Sequence, residues 1–215
     1  MKVAILGTGQ VAIDLAKGFV ARGHSVVFGT RDVQGTTALK ATTAVSGSSA
    51  ALYADAAKQA DMAVLATAWS GTQNAVQLLG DANLVGKLLI DVTNALDFST
   101  GKPQMVLGFP NSAGATVQAW LPQAKVVKAF NIISSSRMVD PTFVDGQADM
   151  FIAGNDASAK QQTTDILQAF GWRSAIDMGD ISKSYLLEAL AMTWIEYGVS
   201  HNHWSHGFSL LGGQA

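Results

Sequence analysis

The sequence predicts a doubly wound α/β fold, a mostly parallel sheet with helices on both faces, and three observations carry that expectation. A short apolar run, Val3 to Leu6, enters a glycine turn and leaves as a helix with one apolar face. Further on, apolar runs of strand length alternate with helical segments, as a parallel sheet with crossover connections requires. The chain of 215 residues is 48% apolar and only 14% charged, which indicates substantial burial in a large core.

Taken in order, the first strand is Lys2 to Leu6, and a helix from Gln10 presents Val11, Leu15 and Phe19 on its apolar face. Gly23 stops that helix, and Ser25 to Gly29 form the second strand. Thr36 to Ser49 is polar and carries little pattern; Leu52-Tyr53 then precede a short helix, Asp55 to Ala60, and the strand Met62 to Ala66. Trp69 to Leu79 reads as a helix with Val76 and Leu79 on one face, and Gly86-Lys87 introduce the strand Leu88 to Val92. A helix over Ala113 to Leu121 ends at Pro122, and Val126 to Asn131 read as the sixth strand. From Asp149 the rhythm changes slightly. Strand Met150 to Ala153, helix Ala157 to Phe170, a short strand at Ser174 to Ile176 and a helix from Ser182 to Val199 precede a tail rich in His and Trp. Residues 1–140 are read as a dinucleotide-binding domain and 141–215 as an extension packed on it, with no repeat or linker to separate them.

The glycine turn supplies the first chemical clue. Gly7 permits a tight turn, Gly9 lacks a side chain so that backbone approaches a diphosphate, and Ala12 is small enough for the helix to pack on the strand. The helix amides from Gln10 then face the anion, with the macrodipole adding to the attraction. At the end of the second strand an NAD site places Asp or Glu on the ribose hydroxyl, whereas this chain reads Gly29-Thr30-Arg31. A guanidinium fork suits a 2′-phosphate and Thr30 offers a hydroxyl beside it, so the expected cofactor is NADP(H). Asp32 either caps the next helix or restores a ribose acceptor.

A net charge of −2 leaves no basic footprint for nucleic acid, and the absence of cysteine excludes disulfides, cysteine nucleophiles and thiolate metal sites. The N-terminus shows no signal-peptide pattern, and Tyr185 to Val199, interrupted by Glu188 and Glu196, is too short to span a bilayer. A cytoplasmic protein with no membrane partner is expected.

The ordered set Gly7-Thr8-Gly9, Gly29-Thr30-Arg31, Asp91-Val92-Thr93-Asn94, Lys125 to Asn131 and Ala153-Gly154-Asn155-Asp156 resembles the NADPH-dependent reductases of the deazaflavin coenzyme F420. The same domain type is related to the oxidoreductase domain of the STEAP metalloreductases, where the acceptor is a flavin. The resemblance spans Met1 to Val199 and implies a Rossmann-type fold. It also implies that Thr8, Gly9, Gln10 and Val11 hold the pyrophosphate, that Thr30 and Arg31 hold the 2′-phosphate, and that Thr67, Ala68 and Trp69 border the ribose and nicotinamide. Asn94 belongs to the same cofactor-binding set. The implied reaction is direct hydride transfer between the nicotinamide and a small-molecule redox acceptor, coenzyme F420 or a flavin, stacked on it. Relatives are commonly dimers, and the apolar helix from Tyr185 with its aromatic tail suits a homodimer interface.

Departures from the family pattern fall on the acceptor side. Ala68 and Ala95 stand where prolines are common, and Asn131 stands where archaeal deazaflavin reductases carry a histidine. Asn131, Ile133 and Met138 are the candidate acceptor contacts. Two other classes share the nucleotide half: a non-catalytic NADP(H)-binding sensor, and a hydroxyacid or imine dehydrogenase, which normally adds a large helical domain with a catalytic lysine. The stretch after Asp140 is short and lacks the Gly-x-x-Gly-x-x-x-Lys signature. No catalytic residue is assigned and no metal is expected, because the spacing of His201, His203 and His206 gives no helical i, i+4 pair and no carboxylate is near. Lys128 is read as structural, its ammonium turned out at the strand end. Trp69 and Trp120 are read as packing residues, and His24 as a connector.

Overall fold

The structure, a computed structural model, describes residues 1–212. Strands β1 (Lys2–Leu6), β2 (Ser25–Thr30), β3 (Ser49–Leu52), β4 (Met62–Leu65), β5 (Leu88–Asp91), β6 (Lys125–Lys128), β7 (Met150–Gly154) and β8 (Ala175–Asp177) form one sheet in the spatial order 8-7-6-5-4-1-2-3. The run 3-2-1-4-5-6 is parallel throughout, which is the doubly wound Rossmann arrangement. Helices α1 (Gln10–Ala21), α2 (Thr36–Ala44), α3 (Tyr53–Gln59), α4 (Trp69–Leu79), α5 (Ala113–Trp120), α6 (Ala157–Ala169) and α7 (Ser184–His201) cover the two faces.

The central strands β1, β4 and β5 are almost continuously apolar because both of their faces are buried. Ile5, Phe28, Met62 and Ile90 point into one core, where α1 adds Leu15 and Phe19. Their strand neighbours Leu6, Val27, Leu65 and Leu89 point into the other, where α4 adds Val76 and Leu79 and α5 adds Val117. In α1 the buried face is built on Ala12, Ile13, Leu15, Ala16 and Phe19, and Val11 lies at its half-buried margin.

Three elements depart from the expectation. Helix α2 and the start of β3 occupy the stretch Thr36 to Ser49, which shows little pattern because α2 buries only Ala38 and Ala41. An apolar face of two alanines is nearly invisible to a hydrophobic period. Strand β6 stops at Lys128, three residues short of Asn131, since Phe130 takes φ +63° and redirects the chain. Strand β7 then pairs antiparallel with β6, Ala153 opposite Lys128, and β8 runs parallel to β7. No crossover helix is needed between antiparallel neighbours, so residues 129–149 instead run back beside α1. Asp140 accepts a charged hydrogen bond from Arg22 of α1 at 2.8 Å, and the carbonyl of Met138 accepts from Trp172 Nε1 at 2.9 Å.

The tail after α7 is held by a buried carboxylate. Asp149 accepts from Arg173 Nη2 at 2.6 and 2.7 Å, from Ser174 Oγ at 2.7 Å and from the amide of Leu210 at 2.8 Å. His206 stacks on Trp194 with ring centres 4.7 Å apart, and Trp194 Nε1 donates to the His206 carbonyl at 2.9 Å. Burial opposes ionisation of Asp149, but the Arg173 guanidinium, the Leu210 amide and Ser174 outweigh it and hold its pKa below the ordinary 3.8. A carboxylate with a depressed folded pKa stabilises above its unfolded pKa and ceases to do so as pH falls through the folded one. The tail is therefore expected to detach only below pH 3.8, read as a change in tryptophan fluorescence ahead of loss of helix signal.

Among the described residues no helix is long and apolar enough to cross a membrane.

Candidate functional site

The C-terminal ends of β1, β2, β4 and β5 meet at one edge of the sheet, where ligands of open α/β sheets bind. Gly7 is the pivot. Its amide donates to the Gly29 carbonyl at 3.0 Å, it holds φ +125°, and a Cβ there would strike the carbonyl oxygen of Ala66. Three strand ends thus converge on a residue that only glycine satisfies. Gly9, the N-cap of α1, differs: a Cβ built on it meets nothing within 4 Å. This glycine is not required by the fold. Helix α1 has no side-chain cap and no acidic residue in its first turn, and the Gln10 side chain turns to Asp14 at 2.8 Å. The first amides, beginning at Gln10 and Val11, are left for an anion, and the half-buried Thr8 flanks them.

Gly9→Val is accordingly expected to cost no more than about 1 kcal/mol of stability, the loss of a favourable N-cap residue, because the backbone is extended there and the space is open. It should abolish dinucleotide binding in an equilibrium titration by filling the approach to the helix amides.

At the end of β2, Thr30 is buried and its hydroxyl donates to the Asp32 carbonyl at 3.2 Å. Arg31 is exposed and makes no ion pair among the described residues. Asp32 neither caps α2, whose N-cap is Gly35, nor faces the cleft freely. Its carboxylate accepts from the Gln34 amide at 2.9 Å and its carbonyl from the Gly35 amide at 3.2 Å, closing the turn before the helix. Burial pushes the Tyr53 hydroxyl above its ordinary range, with the Arg31 charge acting against that rise.

The β4–α4 turn is fixed by a pair of hydroxyls. Thr67 Oγ1 bonds Thr72 Oγ1 at 2.9 Å, and Thr72 donates to the Ala68 carbonyl at 3.0 Å. Ala68 is the N-cap of α4 and provides no side-chain cap, and of the first-turn amides that of Gly71 donates to the Ala68 carbonyl at 2.9 Å. The Trp69 ring stacks on Trp120 of α5, 5.8 Å between centres at 18°, which makes it a packing group.

Asn94 and Asn131 join the next two strand ends. Asn94 Nδ2 donates to the Asn131 carbonyl at 2.8 Å, and Asn131 Nδ2 donates to Asn94 Oδ1 and to the Leu187 carbonyl of α7, both at 3.0 Å. Asn131 Oδ1 is buried without a donor. The other two expected acceptor contacts, Ile133 and Met138, both belong to the core on the α1 side, 6% and 3% exposed. The positive φ of Phe130 redirects the chain just before this segment.

Beneath Asn94 lies a cluster that the motifs did not reveal. Lys128 is fully buried, with Nζ 3.0 Å from Asp91 Oδ2 and 3.3 Å from Glu188 Oε1, and it also donates to the Thr93 carbonyl. Its ammonium does not reach out at the strand end. Desolvation lowers the Lys128 pKa, yet Asp91 and Glu188 together raise it above the ordinary value. Asp91 Oδ1 accepts from the Thr93 amide at 2.9 Å and hydroxyl at 2.7 Å; Glu188 accepts from the Ala113 and Gly114 amides of α5 at 2.8 and 3.0 Å. The available signal was three charges, each standing in an apolar run. Among the described residues no group of His, Asp or Glu is arranged to hold a metal ion.

Residues 2–95 match the family described as NADP oxidoreductase, coenzyme F420-dependent. A solved structure from Arthrobacter sp. FB24, named an F420-dependent NADP reductase, superposes with a TM-score of 0.92 at 34% identity, covering 98% of this chain and 99% of that one. The chain belongs to the F420-dependent NADP oxidoreductase family. Among curated relatives of this family and its kin, metalloreductase STEAP3 of Rattus norvegicus is 29% identical over 89% of this chain and 36% of its own length. The F420-dependent NADP reductase of Methanocaldococcus jannaschii is 28% identical over 65% of this chain and 63% of its own. The chain therefore spans about a third of the first and under two thirds of the second. The family match by residues 2–95 covers β1 to β5 and every expected nucleotide contact, including Gly7, Gly9, Arg31, Thr67 and Asn94, while Asn131 lies beyond it.

Proposed function

We propose that this chain is an NADPH-dependent oxidoreductase that exchanges a hydride with a flat acceptor of the deazaflavin or flavin type. The observation that carries the reading is the open α1 N-terminus at Gly9 beside a free guanidinium at Arg31, two anion sites at the ends of adjacent strands. The residues fit the nucleotide. Amides of α1 hold its diphosphate, Thr30 and Arg31 take its 2′-phosphate, and the Thr67-Ala68 turn with Asn94 borders its ribose and nicotinamide. When bound, NADP(H) supplies the hydride at the nicotinamide. The protein has only to position two rings and exclude water between them, since the hydride transfer itself needs no acid or base.

The test is NADPH oxidation followed by absorbance with coenzyme F420, FMN or FAD as acceptor. Turnover with one of them is expected. Tight NADPH binding without turnover would favour the sensor reading instead, for which one observation speaks: Asn131, Ile133 and Met138 are all buried, leaving the acceptor side covered.

A further inference from the structure

Asp91, Lys128 and Glu188 are buried, and the mechanism above uses none of them. Every contact of the two carboxylates is accepted from a donor: Thr93 and Lys128 for Asp91, Ala113, Gly114 and Lys128 for Glu188. A protonated carboxyl would have to donate, and no acceptor is placed for it, so the surroundings are built for two acceptor-only carboxylates. Two carboxylates share one ammonium. The cluster carries one net negative charge in a site shielded from water, offset only in part by the N-terminus of α5. It also grips Thr93 from three sides, through its amide, hydroxyl and carbonyl, and Thr93 adjoins Asn94 at the nicotinamide end of the cleft.

We infer that this net charge biases the bound nicotinamide toward its oxidised, cationic ring, so that the protein retains NADP⁺ more tightly relative to NADPH than a neutralised cluster would. The inference rests on the NADP(H) reading of the site. A buried charge acts on a cation over several ångströms when little water intervenes, and the two nucleotides differ by one positive charge on the ring. Asp91, Lys128 and Glu188 are thus positioning and charge-setting residues, with no contact to the reacting atoms required.

The experiment measures dissociation constants for NADP⁺ and NADPH on the full chain, wild type, Glu188→Gln, Asp91→Asn and Glu188→Asp, with the fold of each checked by circular dichroism. Removing one negative charge is expected to raise the ratio Kd(NADP⁺)/Kd(NADPH) about fivefold in Glu188→Gln and in Asp91→Asn. Glu188→Asp retains the charge and should retain the ratio. A merely structural cluster would weaken both nucleotides alike, and an unchanged ratio overturns the inference. Should one neutral variant not fold, the other decides, since each removes the same charge, and a ratio within about twofold of the wild type's overturns the proposal. Failure of the wild type to bind either nucleotide would bring down the functional reading itself, which the ratio alone does not touch.

Discussion

Lys128→Met is expected to destabilise the protein by about 3–5 kcal/mol, measured as a shift in urea midpoint at unchanged slope. The side chain is close in volume, so packing is nearly preserved, but Asp91 and Glu188 would be left facing each other with no counterion. That outcome says nothing about how much the intact cluster stabilises, since a buried ion pair exchanged whole for apolar groups is often neutral. The wild type has its own pH signature. A lysine whose folded pKa is raised stabilises fully below its unfolded pKa of 10.5, and the contribution is lost as pH rises through the higher folded value. An alkaline loss of stability above pH 10.5 should be present in the wild type and missing in Lys128→Met. A loss below about 1 kcal/mol in the variant would contradict the buried triad.

Arg31→Ala is expected to weaken NADPH binding about 10- to 100-fold while leaving NADH nearly unchanged, the effect of one charge-assisted contact to phosphate. Titration of both cofactors against both proteins reads this directly. Arg31 is exposed and unpaired among the described residues, so its removal should leave the fold intact. Equal affinities for the two cofactors before and after the substitution would contradict the 2′-phosphate assignment, and with it the role of Thr30.

The strand, glycine turn and helix that carry the nucleotide reading were legible because their signals are local. Gly7, Gly9 and the strand before them are contiguous, and Arg31 directly follows a strand whose start is marked by Gly23. Local patterns also place α4 correctly from Trp69 to Leu79. What escaped depends on direction or on partners distant in the chain. An apolar run such as Met150 to Gly154 reads the same in either orientation, so the antiparallel pairing of β7 could not be seen. Ala129-Phe130-Asn131 looks like more strand until Phe130 takes a left-handed conformation, and the segment after it, with Ile133 and Met138, is buried in the core. Glu188 was visible only as an interruption in an apolar helix. Its partners, Lys128 and the α5 amides at Ala113 and Gly114, lie 60 and 74–75 residues away along the chain, a separation no spacing rule covers.

The Glu188 cap on α5 also grades the cleft along its length. Helices α1 and α4 enter the edge with no side chain on their first amides, whereas α5 arrives with Ser112 and Glu188 already seated on its own. An anion drifting along this rim finds open donors on the β1 and β4 side and satisfied ones on the β5 and β6 side. The rim thus carries a polarity toward anions, set on its β5 and β6 side by a glutamate that belongs to another helix, α7.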